Sequence, residues 1–594
     1  MLDRFKASGL LDDGGVGRLR IELKGGRSLD QALLAAGVPE LEALRALGRE
    51  FQMTVVDLDE ETPDRALLAK FPARVLLEYN LLPLSEHNGT VRVATHRPFQ
   101  SAGLDVLRLA AGKDVEPVLA PGAEIERCLK QTLGVGADTM QSLVSDADSA
   151  GIQIISKEED GEADLAEAAE DASIIRFVNQ VLTEAIDLKA TDVHFEPYED
   201  RFRVRYRVDG VLLEASTPVE VRRFQAAIVS RLKILSHLDI AEKRLPQDGR
   251  IKLKIAAREV DVRVSIIPML HGEAVVLRLL DRGAPVLGLE KLGMAQRDRS
   301  LFSRVLDLPH GIVLVTGPTG SGKTTTLYAA LSQINDVERK IITIEDPIEY
   351  HLAGINQIQV SSKAGLTFAR GLRSILRHDP DVILIGEIRD RETAEIAVQA
   401  SLTGHLVFST LHTNDAASAV TRLVDMGIEP FLVASSLEIV VAQRLVRLIC
   451  PACRHTVAPT ETQRCELEAE FGAAAPSVIH QGAGCRDCRG TGYSGRSGIF
   501  EIMPASEDIR ALTMTRVSAP EIARAAIRRG MRTLREDGRR LVLEGRTTLE
   551  EVLRVTKGDI LENGSSPALP SNGDHAENVH GRDTKPQHAN AGLL

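Results

Sequence analysis

Apolar and polar positions follow several different rhythms along this chain, and each rhythm predicts a different kind of element. From Ile174 to Leu188 the apolar residues recur at the spacing of an amphipathic helix. Between Phe202 and Gly210 they alternate with polar residues, as in a half-buried strand. Over residues 296–505 strand and helix signals alternate, and the apolar run Gly311–Thr316 is typical of a buried strand. This alternation predicts a parallel α/β sheet in that part of the chain.

The same patterns predict six consecutive parts. In the first part, Ser28 is expected to cap a helix and Val91–Ala94 to form a short strand, and no residues there have catalytic spacing. A docking or regulatory role is therefore the default for it. The expected parts are an N-terminal unit (1–133), a linker (134–171), a second unit (172–295), a nucleotide-binding core (296–505), a subdomain of three short helices (506–558) and a tail (559–594).

Length and composition narrow the class of protein. A chain of 594 residues with 43% hydrophobic residues is expected to form three to four globular domains. Aromatic residues make up only 3%, which argues against a stacking surface for single-stranded nucleic acid. No apolar run approaches the roughly 20 residues that span a bilayer, and the N-terminus lacks the apolar segment of a signal peptide. These features predict a cytoplasmic protein that reaches a membrane only through a partner.

The net charge of −12 is concentrated in one stretch. Between Asp146 and Asp171 there are ten acidic residues and a single lysine, so the rest of the chain is nearly neutral. Such a stretch predicts a solvated, flexible linker. The segment from Leu561 onward has little that could form a core, and it is expected to be a disordered tail.

The segment Gly317–Thr324 matches the phosphate-loop pattern G-x-x-x-x-G-K-[ST]. A predicted strand precedes it and a predicted helix follows, so successive N–H groups and a helix N-terminus would face an anion. Lys323 is expected to reach the β- and γ-phosphates and Thr324 to hold Mg²⁺. The alternative is a glycine-rich turn that matches by chance, and the flanking elements argue against it. The predicted nucleotide-binding residues are Gly317, Pro318, Thr319, Gly320, Ser321, Gly322, Lys323, Thr324 and Thr325.

Two further apolar strands end in acidic residues. Ile341–Glu349 ends in three carboxylates, at a place where a phosphate-loop fold positions a water-activating acid. In Asp381–Asp390, Glu387 follows Gly386, which occupies the usual place of the acid linked to Mg²⁺. The alternative in both cases is a strand that ends in ordinary surface acids.

Two histidines lie at the two ends of another apolar strand. His405 and His412, within Thr403–Asn414, are seven residues apart, so in a regular strand they would face opposite sides and could not share a metal ion. Two interpretations stay open: a core strand with polar ends, or a sensor of the γ-phosphate.

Three arginines share one face of the predicted strand that starts at Phe202. Arg203, Arg205 and Arg207 are two residues apart, and strand side chains alternate between the two faces. They form either a solvated edge, which the spacing alone favours, or an anion-binding surface.

The cysteine spacing predicts a metal site. Two C-x-x-C pairs lie 31 residues apart, and the second is surrounded by glycines that permit tight turns. In a chain without a secretion signal this favours a closed, structural Cys₄ zinc site, and a redox dithiol is the alternative. The predicted ligands are Cys450, Cys453, Cys485 and Cys488. Two cysteines unpaired in sequence have no predicted role: Cys128 and Cys465.

Taken together, these segments resemble the secretion ATPases of the GspE/PilB class, which power type II secretion and type IV pilus assembly. The resemblance is close over residues 172–558 and looser over the first 133. Its boxes are Gly317–Thr324 (Walker A), Thr343–Glu349 (Asp box), Asp379–Thr393 (Walker B), Thr403–Asn414 (His box), the two cysteine pairs and Gly492–Glu501, with Ala190–Pro197, Arg205–Gly210 and Leu245–Arg250 upstream.

The resemblance implies a multidomain α/β protein. Its expected parts are an N-terminal α+β docking domain, a linker, an α+β (PAS-like) domain, a RecA-like phosphate-loop ATPase core with a zinc knuckle at 450–488, and a small C-terminal helical subdomain. ATP and Mg²⁺ would lie between the core and the 172–295 domain of a homohexameric ring.

The resemblance also implies roles for individual residues. Glu345 would be the general base, and Glu387 the Walker B acid that holds Mg²⁺ with Thr324. His405 and His412 would be switch residues. Four arginines would be candidates to reach the phosphates as the two domains rotate: Arg207, Arg244, Arg250 and Arg278.

The implied function is a cytoplasmic motor whose ATP hydrolysis drives pseudopilus assembly and protein export by type II secretion. It would be peripheral at the inner membrane, docked through its N-terminal domain to platform and anchoring proteins, without a transmembrane segment and without direct contact with nucleic acid. The alternatives are a type IV pilus extension ATPase, including adhesion or DNA-uptake variants, and a nucleotide-responsive docking scaffold with negligible turnover. Some relatives bind cyclic di-GMP, but Gly17–Arg20 is too weak a match to their Arg-Leu-Gly-x-x-Leu repeat.

Overall fold

The structure is a computed structural model. It describes residues 2–7, 9–58, 61, 63–68, 70–133, 172–255, 258–281 and 287–556. The predicted linker at 134–171 and the predicted tail at 559–594 lie outside the described residues.

The N-terminal part contains two hydrophobic clusters. The first is helical and includes Leu19, Leu33 and Leu47, and the second surrounds a three-stranded sheet whose β1 and β2 are antiparallel and whose β2 and β3 are parallel. Ser28 precedes a helix as expected, although its side chain makes no capping hydrogen bond. The helices are Leu2–Ala7, Asp13–Lys24, Leu29–Ala35, Glu40–Phe51, Arg65–Leu68, Ala73–Glu78, Ser101–Ala111 and Gly122–Leu133, and the strands are β1 (Leu82–His87), β2 (Thr90–Thr95) and β3 (Asp114–Leu119).

The second part is a six-stranded antiparallel sheet in the order β6-β5-β4-β9-β8-β7. Its core includes Phe177 and Phe195, fully buried between the sheet and two helices. The strands are β4 (Asp192–Pro197), β5 (Phe202–Val208), β6 (Val211–Glu214), β7 (Gln247–Ile255), β8 (Arg258–Met269) and β9 (Gly272–Asp281); the helices are Ala172–Asp187 and Gln225–Leu235, with a 3₁₀ segment at Val219–Phe224.

The three arginines of β5 are not on a solvated edge, because β5 lies between β6 and β4. Arg203 and Arg205 both bind the Glu196 carboxylate on the neighbouring β4. Arg207 lies 3.6 Å from Asp192, which is on β4 like Glu196. Each positive charge on this face is therefore close to an acid across the ladder.

The core contains a seven-stranded sheet in the order β12-β11-β13-β14-β10-β15-β18, parallel except for β18. Ile312 and Leu314 of β10 pack on one face, and Val313 and Val315 on the other. The strands are β10 (Gly311–Thr316), β11 (Ile341–Glu345), β12 (Asn356–Gln359), β13 (Val382–Ile385), β14 (Leu406–Leu411), β15 (Leu437–Ile449) and β18 (Tyr493–Pro504). The helices are Gln296–Leu306, Lys323–Ile334, Phe368–Ile375, Arg391–Leu402, Ala416–Asp425 and Pro430–Ser436, with 3₁₀ segments at Leu289–Lys291 and Ser362–Ala364.

A small insertion between β15 and β18 carries the cysteines. It holds a two-stranded antiparallel sheet, one helix and a short 3₁₀ segment. Its elements are β16 (Arg454–Val457), Glu461–Phe471, Gly472–Ala474 and β17 (Ile479–Gly482). After β18 the sequence predicts three short helices, but the described residues contain four: Glu507–Met514, Ala519–Arg528, Leu534–Leu543 and Leu549–Val555. Within the described parts of the chain, no helix is long and apolar enough to cross a membrane.

The last described helix is fixed to β15 by a buried carboxylate. The side chain of Glu551 is fully buried and accepts hydrogen bonds from the backbone N–H (3.0 Å) and guanidinium (2.8 Å) of Arg447. The Arg554 guanidinium donates to both of its oxygens, at 2.7 and 2.8 Å. Burial by itself would raise the pKa of Glu551, but these hydrogen bonds outweigh it and lower the pKa to about 2.

We expect Glu551→Gln to destabilise this part of the protein. A carboxyl group whose pKa falls from 4.5 to about 2 on folding stabilises the folded state near neutral pH by up to about 3 kcal/mol. This contribution is complete above pH 4.5 and is lost as the pH falls towards 2, so wild type and variant should converge in acid. Calorimetric unfolding at pH 7, 5 and 3 measures the difference.

The matched control is Glu550→Gln, which changes the exposed neighbouring carboxylate. It should unfold like the wild type at each pH. A Glu551→Gln transition that coincides with that control at pH 7 would contradict the assigned role of the buried carboxylate.

Candidate functional site

The phosphate loop is pressed against β15. Gly317 has φ 144°, and a Cβ atom there would lie 2.4 Å from the carbonyl oxygen of Gln443. Gly322 has φ 89° and directly precedes the helix that starts at Lys323. Side chains are strained at positive φ, so glycine suits both positions. The loop and the helix N-terminus then present backbone N–H groups to an anion.

Two side chains of this loop fit a bound phosphate chain. The ammonium group of Lys323 is buried and donates to the carbonyl oxygens of Gly317 (2.8 Å) and Pro318 (3.1 Å). Burial lowers the pKa of Lys323, and the charge of Glu387 opposes that shift. The hydroxyl of Ser321 is buried and has no hydrogen-bond partner among the described residues. A buried unpaired hydroxyl costs about 1–3 kcal/mol, which a phosphate oxygen would remove.

Glu345 ends β11 as a buried carboxylate with three donors. Thr343 Oγ1 donates to Oε1 at 2.5 Å and Gln357 Nε2 donates to the same oxygen at 3.2 Å. The Tyr328 hydroxyl donates to Oε2. Burial and the Glu345 charge raise the pKa of Tyr328, so this phenol keeps its proton. These contacts hold the carboxylate in one orientation.

Glu387 follows β13 and is held by an arginine and a histidine. Arg389 Nη2 lies 2.5 Å from Oε1, and His412 Nε2 lies 3.1 Å from Oε2. Burial raises the pKa of Glu387, but these two hydrogen bonds outweigh it and bring the pKa below its usual range. The carboxylate is therefore ionised at neutral pH, as a Mg²⁺ ligand must be.

The structure brings His412 to this site but not His405. His412 lies at the carboxyl end of β14, beside Glu387. His405 lies at the opposite end of that strand, where its Nδ1 is 2.9 Å from the carbonyl oxygen of Ala400. A strand of this length separates the two side chains by about 20 Å.

The phosphate loop, Glu345, Glu387 and His412 line a cleft of about 1100 Å³ between the core and the six-stranded sheet. This volume is slightly above the range of about 300–1,000 Å³ that is typical of a site for one small molecule. Arg207 and Arg278 line the cleft opposite the phosphate loop. Both bind Asp192, with Arg278 Nε 3.0 Å from its Oδ1. Two of the four predicted arginines are thus at the site.

The other two predicted arginines lie outside the cleft lining. Arg244 is 88% exposed and binds Glu242 at 3.0 Å. Arg250 is exposed on β7, the edge strand farthest from β5 in the sheet order.

Several lining residues were not found from the sequence. They come from several elements of both units, among them β4, the helix after the phosphate loop, β14, β15, β18 and the last helix, and no motif marks them as a group. Gln443 Oε1 accepts a hydrogen bond from Thr326 Oγ1 at 2.7 Å, which ties β15 to the helix after the loop. Apart from Asp346 and Glu349 of the Asp box, the unpredicted polar lining residues are Thr191, Asp192, Asp209, Lys291, Tyr328, Tyr350, Thr410, Gln443, Arg444, Arg496 and Arg554.

The four predicted zinc ligands form one cluster with all sulfur atoms within 4.8 Å of one another. Cys450 and Cys485 are 3.7 Å apart, and Cys453 and Cys488 are 3.8 Å apart. Tetrahedral coordination with Zn–S bonds of about 2.3 Å requires S–S separations of about 3.8 Å. A disulfide requires about 2.05 Å. The cluster therefore has the geometry of a Cys₄ zinc site rather than of a dithiol pair about to oxidise.

Backbone donors stabilise one of these thiolates. The N–H groups of Cys485 and Gly492 lie 3.1 and 3.2 Å from Cys488 Sγ. Burial raises the pKa of Cys488, but these donors outweigh it and lower the pKa to about 6. Of the two remaining cysteines, Cys128 is buried in the N-terminal core and Cys465 is exposed.

A phosphate loop on a parallel sheet, with carboxylates at the ends of two further strands, β11 and β13, defines the class of phosphate-loop ATPases. Residues 167–554 match the family described as Type II/IV secretion system protein, and residues 49–138 match the MshEN domain. The chain belongs to the Type II/IV secretion system protein family, as the resemblance predicted.

Similar proteins include type II secretion proteins and a type IV pilus assembly ATPase. The chain is 57% identical to Type II secretion system protein E of Pseudomonas aeruginosa over 394 residues, which cover 66% of this chain and 78% of that protein. It is 46% identical to Type II secretion system protein E of Xanthomonas campestris over 491 residues, 82% of this chain and 84% of that protein. It is 42% identical to the type IV pilus assembly ATPase PilB of Myxococcus xanthus over 542 residues, 90% of this chain and 95% of that protein.

We expect about one zinc ion per chain, lost or much reduced in Cys450→Ser. The cluster provides four protein ligands, so no position is left for water and the metal stabilises the local fold. Elemental analysis of protein purified without chelators measures the zinc content. The matched control is Cys465→Ser, which removes an exposed thiol outside the cluster and should keep the metal. Wild-type protein without zinc would refute the assignment.

Proposed function

We propose that this chain is an ATP-hydrolysing motor of type II secretion. The observation that carries the proposal is Glu345, a buried carboxylate fixed by three donors in the same cleft as Lys323 and Ser321. A protein that only binds nucleotide needs no such base, so this arrangement argues against the docking scaffold.

The loop supplies the phosphate contacts. Its N–H groups and Lys323 would bind the β- and γ-phosphates, with the Ser321 hydroxyl as a further donor. Thr324 and Glu387 would hold Mg²⁺, which neutralises charge on the phosphate oxygens during transfer. The Lys323 ammonium donates hydrogen bonds to two carbonyl oxygens of the loop. Phosphate oxygens would replace these neutral acceptors, and hydrogen bonds to charged acceptors are stronger.

Glu345 is proposed to orient and deprotonate the attacking water. A carboxylate has about four acceptor positions. Thr343 and Gln357 use Oε1, and Tyr328 uses one position of Oε2, which leaves room on Oε2 for a water molecule. Because the three donors fix the carboxylate, little reorganisation is needed when the water arrives.

Arg207 and Arg278 are proposed to transfer from Asp192 to the phosphates when the two units close around ATP. Guanidinium groups suit this role because they stay charged and form two parallel hydrogen bonds. The units already touch through Arg263 and Glu349, 3.1 Å apart. Exchange of partners would thereby couple ATP binding to movement of one unit against the other.

For Arg244, Arg250 and His405, which lie outside this cleft, action on the nucleotide would require domain rotation or a neighbouring subunit. We propose a homohexameric ring for this reason together with the family membership.

We propose a location at the inner membrane, through partners that dock at the N-terminal part. The MshEN match covers residues 49–138, outside the ATPase match, and so leaves that part available for docking. A type IV pilus assembly ATPase is the second candidate, because the similarity to PilB extends over 90% of this chain.

We expect Glu345→Gln and Lys323→Ala to separate catalysis from binding. Glu345→Gln should keep ATP affinity within a few fold and lower kcat by about 10²–10⁴, because only the base is lost. Lys323→Ala should lower kcat/KM by about a thousandfold, because stabilisation of the phosphoryl group is lost. Steady-state hydrolysis and equilibrium binding of a fluorescent ATP analogue measure both effects.

Two exposed residues provide the controls, Glu338→Gln and Lys363→Ala, which should hydrolyse ATP at the wild-type rate. Circular dichroism and zinc content should match in all variants. Full activity of Lys323→Ala would contradict the ATPase mechanism. Negligible wild-type turnover, even with the membrane platform protein of the system present, would favour the docking scaffold.

We expect deletion of this gene in its own host to retain exported enzymes inside the cell, with surface pili intact. Complementation with wild type should restore export, and Glu345→Gln should not, because export depends on hydrolysis. Assays of secreted enzymes and electron microscopy of pili measure the two outcomes. Loss of pili with normal secretion would establish the pilus assembly ATPase instead.

A further inference from the structure

The two sides of the phosphate loop carry different chemistry. The strands β14, β13 and β11 lie on one side of β10, and β15 and β18 lie on the other. Glu345 and Glu387 follow β11 and β13, so both catalytic carboxylates are on the first side. An ATP molecule whose γ-phosphate points to them must place its nucleoside over β15 and β18. This orientation of ATP in the cleft rests on the proposed function.

The side towards β15 and β18 offers an apolar floor, and three arginines line the cleft there: Arg444, Arg496 and Arg554. Leu445 and Leu292 line the cleft there. Val555 and Arg554 reach it from the last helix, and Arg496 reaches it from β18. No aromatic residue lines this side among the described residues, since the lining aromatics belong to the side of Glu345: Tyr328, Tyr350 and Phe368. A planar nucleobase would therefore meet aliphatic carbon and guanidinium groups.

Two of these three arginines are already engaged elsewhere, and Arg444 Nη2 donates to the carbonyl oxygen of Asn414 at 3.3 Å. Arg496 Nε lies 3.1 Å from Asp209 of the six-stranded sheet. Arg554 is half exposed, and Glu551 binds it through Nε and Nη2. That contact occupies one edge of the guanidinium and fixes its plane, and 51% of the side chain stays exposed, so a planar group can reach it.

We propose that Arg554 is a nucleoside-binding residue of this ATPase, with its guanidinium plane packed on the nucleobase above Leu445 and Val555. Glu551 is the positioning residue that holds this plane. Glu551 also accepts hydrogen bonds from Arg447 on β15, the strand that ends directly before Cys450. Glu551 therefore connects the proposed nucleobase contact to β15.

Binding of Mg-ADP and of Mg-tripolyphosphate to the full-length protein separates nucleoside contacts from phosphate contacts without any need for hydrolysis. Stacking on one base contributes about 1–3 kcal/mol. We expect Arg554→Ala to weaken ADP about tenfold or more and to leave tripolyphosphate unchanged within twofold. Arg554→Lys should behave like Arg554→Ala, because it keeps the charge but loses the plane.

The control is Arg546→Ala, in the same C-terminal segment and outside the cleft lining, which should bind both ligands like the wild type. Equal weakening of ADP and tripolyphosphate would overturn the proposal in favour of a phosphate contact or a structural role, and unchanged ADP affinity would overturn it outright. In both cases the proposed function stands if the wild type hydrolyses ATP. A wild-type protein that binds neither ligand would refute both proposals.

Discussion

The position of β10 inside a parallel sheet is the constraint on which the rest of the site depends. All six residues of this strand are buried, with parallel neighbours on both sides, so its carboxyl end opens at one edge of the sheet together with theirs. The phosphate loop leaves that edge, and Glu345, Glu387 and His412 leave it from adjacent strands. Residues separated by almost a hundred positions in the chain thereby meet, since parallel strands bring their carboxyl ends to one edge.

The length of β15 extends this arrangement to the other parts of the molecule. Its first half pairs with β10, and its second half continues beside β18 to Ile449, directly before Cys450. On the way its backbone lies against Gly317, and Arg447 binds the buried Glu551. One strand thus contacts the phosphate loop, the last helix and the cysteine cluster. A zinc ion would fix its far end, which gives a physical reason for a structural metal in this motor.

Contiguous patterns predicted much of this architecture. The fold class, the phosphate loop and the cysteine cluster follow from residues near one another in the chain, because local geometry already sets their chemistry. The interpretation of β5 as a solvated edge strand was wrong. Whether a strand lies at an edge depends on the order of the strands in the sheet, and the alternating pattern of a single strand carries no information about that order. The sequence does not indicate that Arg554 lines the cleft, because its position depends on packing of the last helix against β15, more than a hundred residues away. The residue roles themselves stay predictions.

Asp192 holds two arginines of the cleft, Arg207 and Arg278, in the arrangement that the structure shows. Its carboxylate is buried to 8% exposure and binds Arg207, Arg278 and the Thr191 hydroxyl. A nucleotide shifts the balance between open and closed forms only by contacts that differ between them. In the proposed function, phosphates would compete with Asp192 for two guanidinium groups and so provide such a difference, and loss of the γ-phosphate would weaken it again. Under that proposal, hydrolysis would move the two units apart without any change in the phosphate loop itself.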